Sequence, residues 1–292
     1  MKDTASDRTI VMTRIMPAPL DAVWDAWTDP AKLPQWWGPR GFTCRTHEIN
    51  LTEGGQWRFD MIGPDGTVYP NRHQFRRIAP KHSIDYHLDD DGTGDHTFDA
   101  EVRFSEVKDG TRVSLTLIFA TAEERAGVEA FGAVALGYTT LDCLAETAAP
   151  DTLSLTRILN ATPDRLWQCW TDPSEMAHWF YPDSTDIVSA DFAPLTRTNW
   201  RTIMQGADST KMTMEGKFET VDAPRYLVFT HGWRDADGKV PTVTRVTVSL
   251  HPLGDQTRLT IVQQGFASDA SRDGHRTGWA QTLDHLATHL AG

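Results

Sequence analysis

The sequence predicts an α+β chain of two tandem helix-grip domains, each a curved antiparallel sheet wrapped around a long C-terminal helix, and three observations carry that prediction. At 292 residues the chain exceeds one ordinary core and suits two. A segment near the N-terminus returns mid-chain: Thr13-Arg14-Ile15 recurs as Thr156-Arg157-Ile158, and Asp21, Trp24, Trp27, Thr28, Asp29, Pro30 and Trp36 fall on Asp164, Trp167, Trp170, Thr171, Asp172, Pro173 and Trp179, at an offset of 143 residues. Within each half, period-two alternation fills the middle and helical periodicity the end. Thr140-Leu141-Asp142 with Leu144-Ala145 also returns, as Thr282-Leu283-Asp284 with Leu286-Ala287, at an offset of 142. The copies therefore span residues 1–148 and 151–292, with Ala148-Ala149-Pro150-Asp151 as the linker. A period this long lies far outside the ~20–50 residues of stacking repeats, so each copy closes its own core.

Each copy begins with a run of β-type residues, Thr9–Met16 and Thr152–Leu159, which predicts a first strand. In the second copy Thr162 can cap a helix with Pro163 at its first position, and Leu166, Trp167 and Trp170 follow at helical spacing. Val23, Trp24 and Trp27 repeat that stripe in the first copy. The Thr-Asp-Pro that follows in both copies offers a new cap, so a short second helix is expected to reach Trp36-Trp37 and Trp179-Phe180.

Alternation then takes over. Trp57, Phe59, Met61; Ile84, Tyr86, Leu88; Phe98, Ala100, Val102, Phe104; and Val113, Leu115, Leu117, Phe119 each put one face inward. Met212, Met214, Gly216, Phe218; Leu227, Phe229, His231, Trp233; and Val246, Val248, Leu250 do so in the second copy. Gly63-Pro64-Asp65-Gly66, Asp109-Gly110 and Asp235-Ala236-Asp237-Gly238 supply the turns of antiparallel hairpins. Thr121 with Glu124 forms a capping-box pattern ahead of a stripe of Val128, Phe131, Ala135, Tyr138 and Leu141, which predicts one closing helix with glycines inside it. Trp279, Leu283, Leu286 and Leu290 make the matching stripe. A sheet with a single apolar face buries it by wrapping around that last helix, and such a grip tends to enclose a cavity.

Composition narrows the function classes. Hydrophobic residues at 39% and charged residues at 23% are ordinary for a globular protein. A net charge of -12 without a basic run repels phosphate backbones and anionic membranes, so no nucleic-acid partner is expected. No spanning segment or export signal is visible, which leads to the expectation of no membrane partner and a cytoplasmic location. Cys44, Cys143 and Cys169 are odd in number and widely spaced, which fits neither a disulfide framework nor a zinc ribbon.

Eleven tryptophans are many for this length, and such rings line cores or pockets. As ligand-binding candidates the sequence offers Trp37, Trp57, Phe59, Met61, Tyr86, Phe119 and Tyr138 in the first copy, and Phe180, Trp200, Met212, Met214, Phe229, Trp233 and Trp279 in the second. Simple core packing explains any single one of them equally well. Polar pocket groups such as His73, His231 and Gln263 read instead as surface or satisfied residues. His285 and His289 at i, i+4, with His275, have metal-ligand spacing but lack a glutamate base beside them, and read as a solvated face. The run Asp89-Asp90-Asp91-Gly92-Thr93-Gly94-Asp95 lacks a glutamate at its twelfth position, Ala100, and reads as a polar hairpin tip. No nucleophile elbow or phosphate loop is present, so no catalytic residue, metal or cofactor is implied.

These residues resemble the activator of heat shock protein 90 ATPase homologue-like proteins of the START-like (SRPBCC, Bet v 1-like) superfamily. The carriers are Val23-Trp24-Asp25-Ala26-Trp27-Thr28-Asp29-Pro30 with Trp36-Trp37, Glu53-Gly54-Gly55-Gln56-Trp57-Arg58-Phe59, Gly63-Pro64-Asp65-Gly66, and Gly278-Trp279 with Thr282-Leu283-Asp284. The second copy lacks the Gly-Gly-Gln-Trp run before Trp200, so its pocket is expected to differ. The superfamily includes lipid carriers, hormone receptors, polyketide cyclases and co-chaperone modules, so the resemblance implies the fold more firmly than the activity. The two repeats leave no length for the extra chaperone-binding domain of the eukaryotic co-chaperone, and a chaperone partner is not expected. Non-catalytic binding of a small hydrophobic or amphipathic molecule is the leading expectation. A cyclase- or hydrolase-like enzyme and a chaperone-regulating protein are the alternatives, and the tandem copies are compatible with an intramolecular pseudo-dimer.

Overall fold

In the first half, inward-facing apolar residues alternate along β1 (Thr9–Met16), where Ile10, Met12 and Met16 are buried together with Arg14. The chain continues through α1 (Leu20–Thr28), α2 (Leu33–Trp36), β2 (Thr43–Ile49), β3 (Gln56–Ile62), β4 (Val68–Ala79), β5 (Ser83–Asp89), β6 (Phe98–Val107), β7 (Gly110–Ile118), α3 (Ala122–Ala130) and α4 (Ala133–Ala148). This computed structural model describes residues 6–92 and 97–292, in two units, Met1–Pro150 and Asp151–Gly292. In the first unit the strands form one antiparallel sheet in the order β1-β7-β6-β5-β4-β3-β2. Register shifts between Thr46 and Glu48 and between Phe75 and Arg77 help bend it. The edge strand β2 is almost wholly exposed, so it carries no inside-outside alternation for a sequence reading to detect.

The closing helix differs from the expectation. Its cap forms as the capping-box pattern implies, with the Glu124 N–H donating to Thr121 Oγ1 at 3.1 Å. The helix then breaks at Gly132, whose φ of +92° suits glycine, and α3 and α4 meet at a bend of 70°. Phe131, placed on the buried stripe by its spacing, is 81% exposed at that break. The α4 segment lies directly on β1: a Cβ at Gly137 would stand 2.4 Å from Met12 Sδ. Arg14 of β1 meets Asp142 of α4 at 2.6 Å in the same buried layer. No single helix among the described residues is long and apolar enough to cross a membrane. The bent α3–α4 pair passes only when the two are taken together.

Aromatic rings fill the volume between this sheet and its helices. Trp57 stacks on Phe59 at 3.8 Å, His73 stacks on Tyr86 at 4.4 Å, and Trp37 stands edge-on to His73 at 4.7 Å. His73 is 1% exposed and its Nε2 has no hydrogen-bond partner. Burial pushes its imidazole down to about 3, with Asp89 pulling the other way.

The second unit repeats the plan with β8 (Thr152–Leu159), α5 (Pro163–Thr171), α6 (Pro173–Met176), β9 (Thr185–Asp191), β10 (Asn199–Gly206), β11 (Lys211–Asp222), β12 (Tyr226–Trp233), β13 (Thr244–Leu253), β14 (Gln256–Gln264) and α7 (Asp269–Ala291). Its sheet order, β8-β14-β13-β12-β11-β10-β9, is that of the first. Thr162 Oγ1 caps α5 by accepting from the Arg165 N–H at 3.3 Å, and Asp172 Oδ1 caps α6 by accepting from the Ser174 N–H at 2.9 Å. The α6 helix is shorter than its pattern implies, and Trp179 and Phe180 lie in the turns beyond it. Trp179 Nε1 donates to the Cys169 carbonyl at 3.0 Å, as Trp36 Nε1 does to the Ala26 carbonyl at 2.8 Å, so the duplicated tryptophans make duplicated bonds. The α7 helix is unbroken over 23 residues and buries Trp279, Leu283 and Leu286 against the sheet. Burying each leucine contributes about 1.5–3 kcal/mol.

Gly216 is required where β11 meets β12. An added Cβ would stand 1.7 Å from the Thr230 carbonyl oxygen, the atom that accepts from Trp200 Nε1 at 3.0 Å. Gly216→Ala is therefore expected to destabilise the second unit by about 1–3 kcal/mol. Faster amide hydrogen exchange confined to β10, β11 and β12 would report that loss, and unchanged exchange would contradict it. Below its unfolded value of about 6.5 an imidazole binds a proton that buried His73 refuses, so stability falls as the pH drops from about 6.5 toward the folded value of about 3. The share of His73 between pH 7 and pH 5 is about 2 kcal/mol. Urea unfolding at both pH values should show His73→Phe losing less stability on acidification than the parent, and equal losses would contradict the assignment.

Candidate functional site

The two copies diverge at corresponding places on the concave face. Cross-strand pairing sets Trp57 opposite His73 in the first sheet and Trp200 opposite Gly216 in the second. By the same register, Phe59 gives way to Thr202, Leu88 to His231 and Leu117 to Gln263. Two rings of the first core, Phe59 and His73, are thus replaced by Thr202 and Gly216, and two leucines by polar side chains. One compensating change runs the other way, since Gly137 of α4 corresponds to Trp279 of α7 at the offset of 142 residues.

The result is a cavity of about 370 Å³ between the first half of α7 and the strands β10, β11 and β12. Phe180, Met204, Met214, Trp233 and Trp279 wall it, and Ala270, Ser271, Gly274 and Gly278 present the small side of α7 to it. An added Cβ at Gly274 or Gly278 would meet nothing within 4 Å. His231, His275, Ser271 and Thr282 contribute the polar lining, and the two imidazole centroids stand 5.3 Å apart.

A chain of hydrogen bonds backs the cavity. Trp279 Nε1 donates to Gln263 Oε1 at 2.7 Å, and Gln263 Nε2 donates to Thr244 Oγ1 at 2.8 Å. Thr244 Oγ1 donates in turn to the His231 carbonyl at 3.0 Å, and Gln263 Nε2 also approaches His231 Nδ1 at 3.5 Å. His275 is separately engaged: its Nδ1 donates to the Ser271 carbonyl at 2.8 Å, and its Nε2 accepts from Trp233 Nε1 at 3.2 Å. Burial first, and His275 second, push the His231 imidazole down to about 3, so it is neutral near pH 7.

Phe180, Met214, Trp233 and Trp279 are the sequence candidates that meet around this cavity. Trp200 and Phe229 pack on each other at 5.5 Å in the adjoining core, and Met212 lies half-buried against it. In the first unit Trp57, Phe59 and Tyr86 belong to the packed ring cluster, with Trp37 half-buried at its margin. Met61 is half-buried on β3, Phe119 tilts against Phe98 at 5.4 Å, and Tyr138 is buried on α4. His73, His231 and Gln263, read from sequence as surface or satisfied residues, are all buried, at 1%, 4% and 0% exposure. Gln263 is satisfied there, but His73 Nε2 is not. Met204 and the small face of α7 were missed, although Ala270, Gly274 and Gly278 recur every four residues and that spacing was the available signal.

The other candidates have structural partners. His285 lies beside the Tyr181 carbonyl and Asp183, whereas His289 Nε2 meets Glu175 Oε2 at 2.7 Å, so the i, i+4 pair serves two different carboxylates. Cys169, Glu175 and His289 do bring ligand atoms within 4.8 Å of one another. Arg165 Nη2 reaches the same Glu175 oxygen at 2.9 Å, and with His289 it holds that carboxyl down at about 2, so a fixed cation already occupies the cluster. Burial pushes the Cys169 thiol up to about 11 and the Cys44 thiol up to about 12, which keeps both protonated and unreactive near pH 7. In the acidic run, Asp89 is engaged by Arg72 and Gln74, Asp91 pairs with Arg58, and residues 93–96 lie outside those described.

The family described as Activator of Hsp90 ATPase homolog 1-like protein matches residues 17–149 and again residues 160–291. No curated protein matches the chain. Among solved structures, the AHSA1 protein of Silicibacter pomeroyi is 24% identical, covering 48% of this chain and 97% of its own, with a TM-score of 0.46. A protein of Chromobacterium violaceum is 26% identical, covering 49% and 99%, with a TM-score of 0.45. One from Nitrosomonas europaea is 21% identical, covering 49% and 96%, with a TM-score of 0.44. With both of its halves matched, the chain belongs to the Activator of Hsp90 ATPase homolog 1-like protein family, as a tandem pair of START-like helix-grip domains.

Proposed function

We propose that the second domain binds a small hydrophobic or amphipathic molecule in the cavity beneath α7 without transforming it. One observation carries this reading: a hollow of about 370 Å³ walled by aromatic and methionine side chains, with no charged side chain among its lining residues. Small-molecule sites run from about 300 to 1,000 Å³ and are mostly apolar. A ligand burying about 200 Å² of apolar surface there gains about 5 kcal/mol before its lost freedom is counted. Proton-transfer catalysis would call for a group that exchanges protons near neutrality. Both nitrogens of His275 are engaged, His231 holds its neutral form down to about 3, and no carboxylate stands beside either in the lining. Stacked rings of the first domain pack at the corresponding place, so we assign binding to the second domain. No disulfide joins Cys44, Cys143 and Cys169, which suits a reducing compartment, and the cytoplasm is the setting this reading adopts.

Gly278→Leu tests the proposal without damaging the helix, because glycine is the poorer helix former by up to ~1 kcal/mol and the added side chain enters open space. A panel of small apolar compounds should raise the melting temperature of the parent protein, and Gly278→Leu should abolish those shifts while melting at or above the parent's own temperature. A panel that leaves the parent unmoved, or that shifts parent and variant alike, would refute the assignment.

A further inference from the structure

We infer that the ligand class of this cavity is a neutral, largely aromatic molecule carrying one carbonyl-type hydrogen-bond acceptor, received by the Nε2–H of His231. The inference rests on the binding reading above and specifies its chemistry.

Indole Nε1 of Trp279 has no lone pair to offer, so the Gln263 atom facing it at 2.7 Å is the amide oxygen. The amide nitrogen of Gln263 therefore points the other way, toward Thr244 Oγ1 at 2.8 Å and His231 Nδ1 at 3.5 Å. Thr244 uses its own proton on the His231 carbonyl, which leaves its oxygen free to accept from the amide. With an N–H aimed at it, His231 Nδ1 is the accepting nitrogen, and a neutral imidazole then carries its proton on Nε2. No described residue offers that Nε2 a partner, and the ring lines the cavity.

Ser271 and Thr282 of α7 add hydroxyls to the lining, rotors that can donate or accept, whereas His231 Nε2–H is fixed as a donor. His275 is held in the opposite tautomer by Ser271 and Trp233, and both of its nitrogens are used. His231 Nε2–H is thus an unspent imidazole donor in a chamber whose walls are otherwise mostly aromatic, methionine and glycine. A ligand that covers this cavity-facing donor without accepting from it leaves it unpaired at a cost of about 1–3 kcal/mol, so a ligand that supplies an acceptor is favoured over an isostere that does not. A carboxylate would enter a site with no Lys or Arg in its lining and would lose its hydration uncompensated. The relay fixes the orientation of this donor, so Gln263 and Trp279 are positioning residues for His231.

Three tricyclic probes of nearly equal shape separate the outcomes: fluorene, fluorenone and fluorene-9-carboxylate, with affinities measured by tryptophan quenching. Fluorenone should bind about tenfold tighter than fluorene, the carboxylate weakest of the three, and the fluorenone preference should collapse in His231→Phe. Fluorene and fluorenone binding equally, or the carboxylate matching fluorenone, overturns the ligand class while leaving cavity binding intact. Failure of all three to bind counts against the binding reading itself and takes this inference with it. Nitrogen-15 NMR of the unliganded parent protein gives an independent check: the His231 proton is expected on Nε2, and finding it on Nδ1 overturns the relay even if the variant does not fold.

Discussion

A seven-stranded sheet with one apolar face has to cover that face, and in each half of this chain the principal cover is one C-terminal helix packed over the bent sheet. The burial of Leu141 and Leu144 on α4, and of Leu283 and Leu286 on α7, follows from that geometry. A helix is about 10 Å wide and cannot cover seven strands alone, so the uncovered part of the concave face is either filled by side chains from the sheet or left hollow. The difference between the two domains is a difference in how that remainder is handled.

In the first domain Phe59, His73 and Tyr86 fill it with rings, and the helix that closes over them carries glycine at position 137 because Met12 already occupies the space. The second domain puts Thr202 and Gly216 at the corresponding sheet positions and returns bulk from the helix side as Trp279, but at one point only. On the first half of α7 His275 reaches Trp233 of β12, but Ala270, Gly274 and Gly278 carry too little side chain to fill the space beside it. Polar groups come with the hollow: Gln263 and His231 stand where the first domain has leucine, and their hydrogen bonds are completed by Trp279, the residue that shapes the cavity. Packing and polarity at this site are therefore one arrangement.

Much of the fold was legible because the signals were periodic. The duplicated Trp, Asp and Pro positions mark both helix corners, and alternation marks the inner strands, since a half-buried strand has to alternate. The edge strands β2 and β9 left no such trace because neither face of them is buried. The break at Gly132 was hidden because glycine inside a helical stripe is compatible with continuation, and only the left-handed φ distinguishes the two cases. At the site, apolarity identified Phe180, Met214, Trp233 and Trp279 as inward but also named seven first-domain residues of the same chemistry. Whether an inward ring lines a hollow or plugs it depends on the residue across from it, and that pairing follows from register and helix placement. For the same reason His231 and Gln263 read as ordinary polar residues until their strands were set side by side.

Crystals of the protein pressurised with xenon test the central claim most directly, because xenon enters apolar hollows and is excluded from close-packed rings. The account expects an ordered xenon atom between Met214 and Trp279. Xenon located instead among Trp57, His73 and Tyr86, or a second domain whose concave face takes up none, would contradict it.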